Sequence, residues 1–120
     1  MTQSYKDLIV WKKSMDLVKN VYLLTSDFPK EEIFGLTSQM RRCAISIPSN
    51  IAEGKLRGYD KELKRFLLIS FGSGGELETQ IEIAKSLYEN KNINFNKVDE
   101  CLLEVMKMLN QFINKLEPSA

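Results

Sequence analysis

Residues 46–54 read Ser46-Ile47-Pro48-Ser49-Asn50-Ile51-Ala52-Glu53-Gly54, placing a proline, a glycine and four polar side chains where the flanking residues keep a helical rhythm. Leu36, Met40, Cys43, Ile47 and Ile51 fall three and four apart, the spacing of one helix face. Pro48 forfeits a backbone hydrogen bond and crowds the carbonyl one turn back, a cost of about 3 kcal/mol or more in an ordinary helix. A chain that keeps such a defect uses the bend it makes, to position helices or to open a site. The stretch is therefore expected to lie inside a proline-bent helix running from about Glu31 to Leu56 and ending near Gly58. Glu31 and Glu32 fall in its first turn, where the helix dipole favours acids.

On the N-terminal side, Leu8, Trp11, Met15, Val18 and Tyr22 alternate by three and four, and Leu17, Val21 and Leu24 widen that stripe. This predicts a first helix over about Ser4 to Ser26, stopped by Asp27-Phe28-Pro29, because the residue before proline is pushed out of the helical region. On the C-terminal side, a third helix is expected after Asp60, a good N-cap, with Leu63, Leu67, Ser70, Gly74, Leu77, Ile81, Ala84 and Tyr88 in strict 4-3 spacing. The polar run Asn90 to Asn94 breaks the pattern. A fourth helix follows from Asn96, another N-cap candidate, carrying Val98, Leu102, Val105, Leu109, Phe112 and Leu116, and Glu117-Pro118-Ser119-Ala120 is expected to fray. Short connections between helices of about 20 residues predict an all-α, antiparallel, up-down-up-down four-helix bundle. No strand pattern, low-complexity tract or internal repeat competes with this reading.

The chain has 120 residues, 43% of them hydrophobic and 28% charged, which suits one domain over residues 1–120 with a real core. No apolar run approaches the roughly 18 residues needed to span a bilayer, and Met1-Thr2-Gln3-Ser4-Tyr5-Lys6-Asp7 lacks the apolar stretch of a signal peptide. A cytoplasmic protein with no membrane partner is expected. Cys43 and Cys101 sit in apolar stripes and read as buried free thiols.

Several chemistries fail on residue type. The sequence has no histidine, which removes Ser-His and Cys-His nucleophile pairs, familiar zinc ligand sets and the Glu-x-x-His pairs of di-iron bundles. Gly72-Ser73-Gly74-Gly75 follows Phe66-Leu67-Leu68-Ile69 in helical phase, without the preceding strand or the Gly-Lys-Ser/Thr ending of a phosphate loop. Each interior glycine costs roughly 1 kcal/mol relative to alanine, so the cluster implies close backbone approach. Glu53 and Glu76 are conceivable as an acid/base pair, but salt bridging to Arg42 or to a neighbouring subunit's arginine is the preferred fate. No enzyme activity, cofactor or metal is expected.

What remains is interface chemistry. Gln39, Arg42, Ser46, Asn50 and Glu53 recur at helical spacing beside the apolar stripe. That stripe is either a solvated face or, the preferred reading, a hydrogen-bonded seam between helices or subunits, because Ser, Asn and Gln dominate where a solvent face would favour Lys and Glu. Ser73, Glu76, Thr79 and Gln80 on the third helix are its potential partners. Residues 41–65 hold seven Lys/Arg against three Asp/Glu, whereas 76–104 hold three against seven. So polarised a molecule offers a basic face to phosphate or mates its own opposite faces.

Six elements occur in order: Asp7-Leu8-Ile9-Val10-Trp11, Phe28-Pro29, Gly35-Leu36, Gln39-Met40-Arg41-Arg42, the Pro48 stretch itself, and Gly75-Glu76-Leu77-Glu78-Thr79. In these the chain resembles the four-helix bundle proteins encoded within intervening sequences of bacterial 23S ribosomal RNA genes. The resemblance implies a ring-shaped homopentamer, with the nucleic-acid-binding accessory protein of diversity-generating retroelements as a relative, and it supplies no catalytic residue. A charge-polarised subunit with a polar stripe suits a heterologous contact that closes into a ring. The expected structural or subunit-interface residues are Gln39, Arg42, Ser46, Pro48, Asn50, Glu53, Gly54, Gly74 and Glu76. The expected phosphate contacts are Arg41, Lys55, Arg57, Lys61, Lys64 and Arg65, repeated around the ring and weakly sequence-selective toward RNA or DNA. The alternative is an adaptor for an unidentified protein, with Tyr5 and Tyr59 as candidate contact aromatics.

Overall fold

The computed structural model describes residues 4–116; the expected fraying of residues 117–120 lies outside them. Four α-helices, α1 (Ile9–Thr25), α2 (Leu36–Leu56), α3 (Asp60–Leu87) and α4 (Asn96–Lys115), account for most of the chain, with short 3-10 turns at Tyr5–Asp7 and Lys30–Glu32. No strand occurs among the described residues. Each helix packs on its neighbours in a closed square, α1 on α2 and α4, and α3 on α2 and α4, and the α2–α3 seam is the most extensive. The seam contacts pair Gly54 with Leu63 and Phe66, Ile47 with Ser70, and Ser46 with Ser73, so the two helices run antiparallel. The other seams have the same sense: Val10 lies by Phe112 and Leu23 by Lys97, Lys85 meets Asp99 and Gly74 meets Met106, and Arg41 reaches Thr25 while Trp11 lies by Ala52. No helix among the described residues is long and apolar enough to cross a membrane.

The α3 stripe is buried at every expected position, from Leu63 through Ser70 and Gly74 to Tyr88. On α1 the expected Leu17, Val21 and Leu24 are buried and Val10 and Ser14 complete the core line, while Trp11, Met15 and Val18 are half-buried and Tyr22 is exposed. The heptad positions from Leu8 to Tyr22 are one flank of the real stripe. Ser14 explains the misreading: its hydroxyl donates to the Trp11 carbonyl at 2.7 Å, so a polar residue sits in the core with its hydrogen bond made. On α4, Ile113 takes the buried position and Phe112 and Leu116 flank it.

Helix boundaries correct the sequence expectations in four places. α1 starts at Ile9, not near Ser4, because Ser4 caps a separate 3-10 turn over Tyr5–Asp7 and Leu8 is extended. α2 starts at Leu36, not at Glu31, because the chain makes a 3-10 turn and then folds back at Gly35. Glu32 still serves the helix N-terminus, accepting the Leu36 N–H at 3.2 Å, and a Cβ at Gly35 would stand 2.7 Å from that carboxylate oxygen. Tyr59, not Asp60, occupies the N-cap of α3, and Asp60 is its first helical residue. Phe95, not Asn96, occupies the N-cap of α4, and the Asn96 N–H donates to the Asn94 side-chain oxygen at 2.9 Å.

α2 stays helical on both sides of Pro48, which is buried. The missing proline N–H deprives the Ala44 carbonyl of its ordinary donor. Two side chains deliver donors to neighbouring carbonyls of this turn: Asn50 Nδ2 to Ser46 O at 2.8 Å and Ser70 Oγ to Ile47 O at 2.9 Å. α3 can come that close because Gly54 has no side chain; a Cβ there would meet Phe66 Cβ at 2.8 Å and Leu63 Cα at 3.3 Å. A Cβ at Gly74 would overlap the Met106 sulfur of α4.

These two glycines predict different costs. Gly54→Ala meets backbone and Cβ atoms that cannot step aside, and should lower the unfolding free energy by about 1–2 kcal/mol in urea titration despite the gain in helix propensity. Gly74→Ala meets the end of a flexible methionine and should cost less. Equal losses, or a gain at Gly54, would refute this account of the α2–α3 seam.

Candidate subunit and nucleic-acid interfaces

The polar stripe of α2 meets α3 in a surface groove of about 480 Å³ lined by Gln39, Arg42, Cys43, Ser46, Ser73, Glu76 and Gln80. At its floor the Ser46 and Ser73 hydroxyls share a hydrogen bond of 2.9 Å, and Asn50 Nδ2 donates to Ser46 Oγ at 3.0 Å. Ser46 and Asn50 thus form the expected hydrogen-bonded seam between helices of one chain. Gln39 and Arg42 stay exposed at the mouth, facing Glu76. Arg42 and Glu76 form no ion pair with each other, and Glu53 pairs with Arg57 at 3.2 Å, so neither glutamate takes the Arg42 partner expected of it.

Two buried groups line the same groove. Burial of the Cys43 thiol, and next the negative charge of Glu76 beside it, push its pKa up to about 11. Gln80 is 7% exposed, and its Oε1 has no hydrogen-bond partner among the described residues. A buried amide oxygen left this way costs about 1–3 kcal/mol. Gln80 recurs one turn after Glu76 on the flank that meets α2, which was the sequence signal for its place in the groove.

The glycine cluster of α3 divides by face. Gly74 packs inward, as Gly54 does on α2, so both serve this chain's own core. Pro48 likewise is buried, under the α1–α2 seam. A Cβ at Gly72 or at Gly75 would meet nothing within 4 Å. Exposed Leu68, Ile69, Ile83 and Leu87 share the outer side of α3 with them, a feature that the 4-3 stripe does not report because it excludes these positions.

The six expected phosphate contacts fall in two places. Lys55, Arg57, Lys61, Lys64 and Arg65 gather at one end of the bundle, where 57–59 turns α2 into α3. Arg41 lies on α2 about 20 Å of helix rise away. It donates to Thr25 Oγ1 at 2.9 Å and lies 4.4 Å from the Tyr22 ring centroid, and so belongs to the α1–α2 seam rather than to the cluster. Within the cluster, Arg57 and Arg65 both lie over the Phe66 ring, and Arg65 pairs with Glu62 at 2.8 Å. That hydrogen bond holds the Glu62 carboxyl below its ordinary value.

Architecture and surfaces define a class: a small all-α protein, a four-helix bundle with a polar groove on one seam and a basic end. The model of the 23S rRNA-intervening sequence protein family matches residues 6–111, nearly the whole chain, and the chain belongs to that family. No curated protein matches it.

The buried thiol gives a pH signature. Because the folded-state pKa of Cys43 lies above its ordinary value of 9.0, the unfolded chain gives up that proton first. Stability should then fall as pH rises from about 9 toward 11. At pH 8 a Cys101→Ser variant should react with an aromatic disulfide reagent on the order of 100-fold more slowly in buffer than in urea. Equal rates in the two solvents would show that the thiol is open.

Proposed function

We propose that this protein is a non-enzymatic, homo-oligomeric scaffold that associates with RNA or DNA through phosphate contacts. The observation that carries this reading is the gathering of five cations at the α2–α3 end, set against only Glu53, Asp60 and Glu62 in the same stretch. The Arg57–Glu53 pair is exposed on both sides, and such pairs hold together by only about 0–1 kcal/mol, so a phosphate can displace that carboxylate, whereas Arg65 is held by Glu62 through two hydrogen bonds. Lys55 and Lys61 enter no ion pair among the described residues. The pentamer implied by the sequence resemblance would present this end five times, and repetition turns a modest patch into many simultaneous phosphate contacts. With the basic residues at a helix end and no groove-reading element, binding depends on backbone charge more than on base sequence.

A second reading rests on Phe34, which is 95% exposed, and Tyr59, which is 61% exposed. Such aromatics are unusual on an uninvolved surface and suit docking of another protein. Tyr5 does not join them: its ring packs edge-on to Trp11 at 5.5 Å.

Anisotropy titrations of labelled single-stranded RNA, duplex RNA and duplex DNA at 50 and 200 mM salt separate the two readings. The scaffold reading expects affinity that falls steeply with salt, and a Lys55→Gln/Lys61→Gln variant whose log-log salt slope is shallower by about one to two. Absence of binding at 50 mM salt by the assembled protein would leave the adaptor.

A further inference from the structure

A cavity of about 520 Å³ lies at the basic end of the bundle, where the 3-10 turn at Tyr5–Asp7 packs on α2 beside the 57–59 turn. Its size falls within the roughly 300–1,000 Å³ of small-ligand sites. Tyr5, Leu56, Tyr59 and Leu63 give it apolar walls, and Lys55 and Asp60 give it one charge of each sign. Leu63 is buried, and Tyr5 is half-buried and packed edge-on to Trp11, so these two walls are fixed by the fold. Leu56 and Tyr59 are 71% and 61% exposed, large apolar surfaces left in water on either side of Gly58. Lys55 and Asp60 enter no ion pair among the described residues.

This mixture selects among ligands. A site for bare phosphate gains nothing from Leu56 and Tyr59, and Asp60 would repel the anion. An apolar helix of another protein would leave Lys55 and Asp60 without partners as it closed over them. A nucleotide answers all three features: a flat ring that stacks on an aromatic side chain, a phosphate for a lysine, and an N–H on the base edge for a carboxylate. In a duplex the base is paired and stacked, so neither its face nor its Watson–Crick edge is on offer.

We propose that the cavity takes an unpaired base of single-stranded RNA or DNA, stacked on Tyr59, with Lys55 at its phosphate and Asp60 accepting from its N–H edge. Lys61, the next residue and exposed, meets a neighbouring phosphate of the strand. This inference rests on the nucleic-acid association proposed above. It adds that the basic end selects single strands, and it gives Tyr59 to that site rather than to a protein partner.

Stacking and charge are separable on the ligand as well as on the protein. At about 50 mM salt a labelled oligothymidylate of about ten nucleotides should bind about 10-fold more tightly than an abasic strand of equal length, which keeps the phosphates and lacks the bases. Tyr59→Ala should erase that difference and leave the affinity for duplex DNA unchanged, and Tyr59→Phe should keep the difference. Position 59 caps α3 through its backbone, with the Leu63 N–H donating to the Tyr59 carbonyl at 3.0 Å, so both variants should match the wild type in helical circular dichroism and thermal midpoint. Thymidine monophosphate, which lacks neighbouring phosphates, should displace the strand only at millimolar concentration. Absence of binding by any strand removes the phosphate reading and this inference together. Equal affinity for the thymidylate and abasic strands, or an equal loss on duplex and single strand in Tyr59→Ala, overturns the base pocket and leaves phosphate binding standing. Displacement by micromolar thymidine monophosphate makes the cavity a mononucleotide site and overturns the single-strand assignment.

Discussion

The approach of α3 to α2 around Gly54 and Ser70 is the constraint on which the rest of the molecule depends. Ser70 is fully buried, and a hydroxyl in that position is tolerable only because it donates to the Ile47 carbonyl. That bond can form only if the two backbones come close, and they do so because position 54 lacks a Cβ. Once the helices are seated, Ser46 finds Ser73 and Asn50 turns back onto Ser46. A proline turn that would weaken an isolated helix is therefore enclosed by side-chain donors and by buried Ile47 and Ile51. The three-residue turn at 57–59 follows from the same closeness, with Gly58 at φ 89° supplying a left-handed step that other residues resist.

Helical periodicity was legible where polar residues avoid the core and illegible where they enter it. On α3 the 4-3 rhythm matched burial throughout, because its buried serine and glycine sit in phase with large apolar neighbours. On α1 Leu17, Val21 and Leu24 were legible as core, but Trp11, Met15 and Val18 look like core by size and are only half-buried, while Ser14 looks like surface by polarity and is buried. Size and polarity are proxies for burial; a hydrogen bond from Ser14 to its own helix defeats both. Helix starts were harder still. Glu32, Tyr59 and Asn94 each settle a terminus through backbone geometry or a side-chain acceptor in the preceding turn, which no single-residue preference reports.

The interface residues were legible as a set and not by role. Gln39, Arg42, Ser46, Asn50 and Glu76 do converge on one seam, as their spacing implied, but Glu53 closes onto Arg57 and the glycines separate into inward and outward pairs of duties. Four consecutive residues, Gly72 to Gly75, point around more than three-quarters of a helix circumference, so one explanation cannot serve them all. The basic run behaved similarly: sequence proximity gathered the cations at one end, and the carboxylates in the same stretch drew Arg57 and Arg65 into pairs.

A domain of this size is stable by roughly 5–15 kcal/mol, so two mid-helix glycines at about 1 kcal/mol each consume a noticeable part of the total. Glycines that admit a neighbouring helix of the same chain recover that loss within the monomer, as Gly54 does against Leu63 and Phe66. Gly72 and Gly75 recover nothing there, and neither does Gln80 Oε1 in its groove. Anything that binds the folded chain and not the unfolded one adds to stability by mass action. A partner that packed on α3 would therefore return stability lost inside the helix, and the folded state and the assembled state would become coupled.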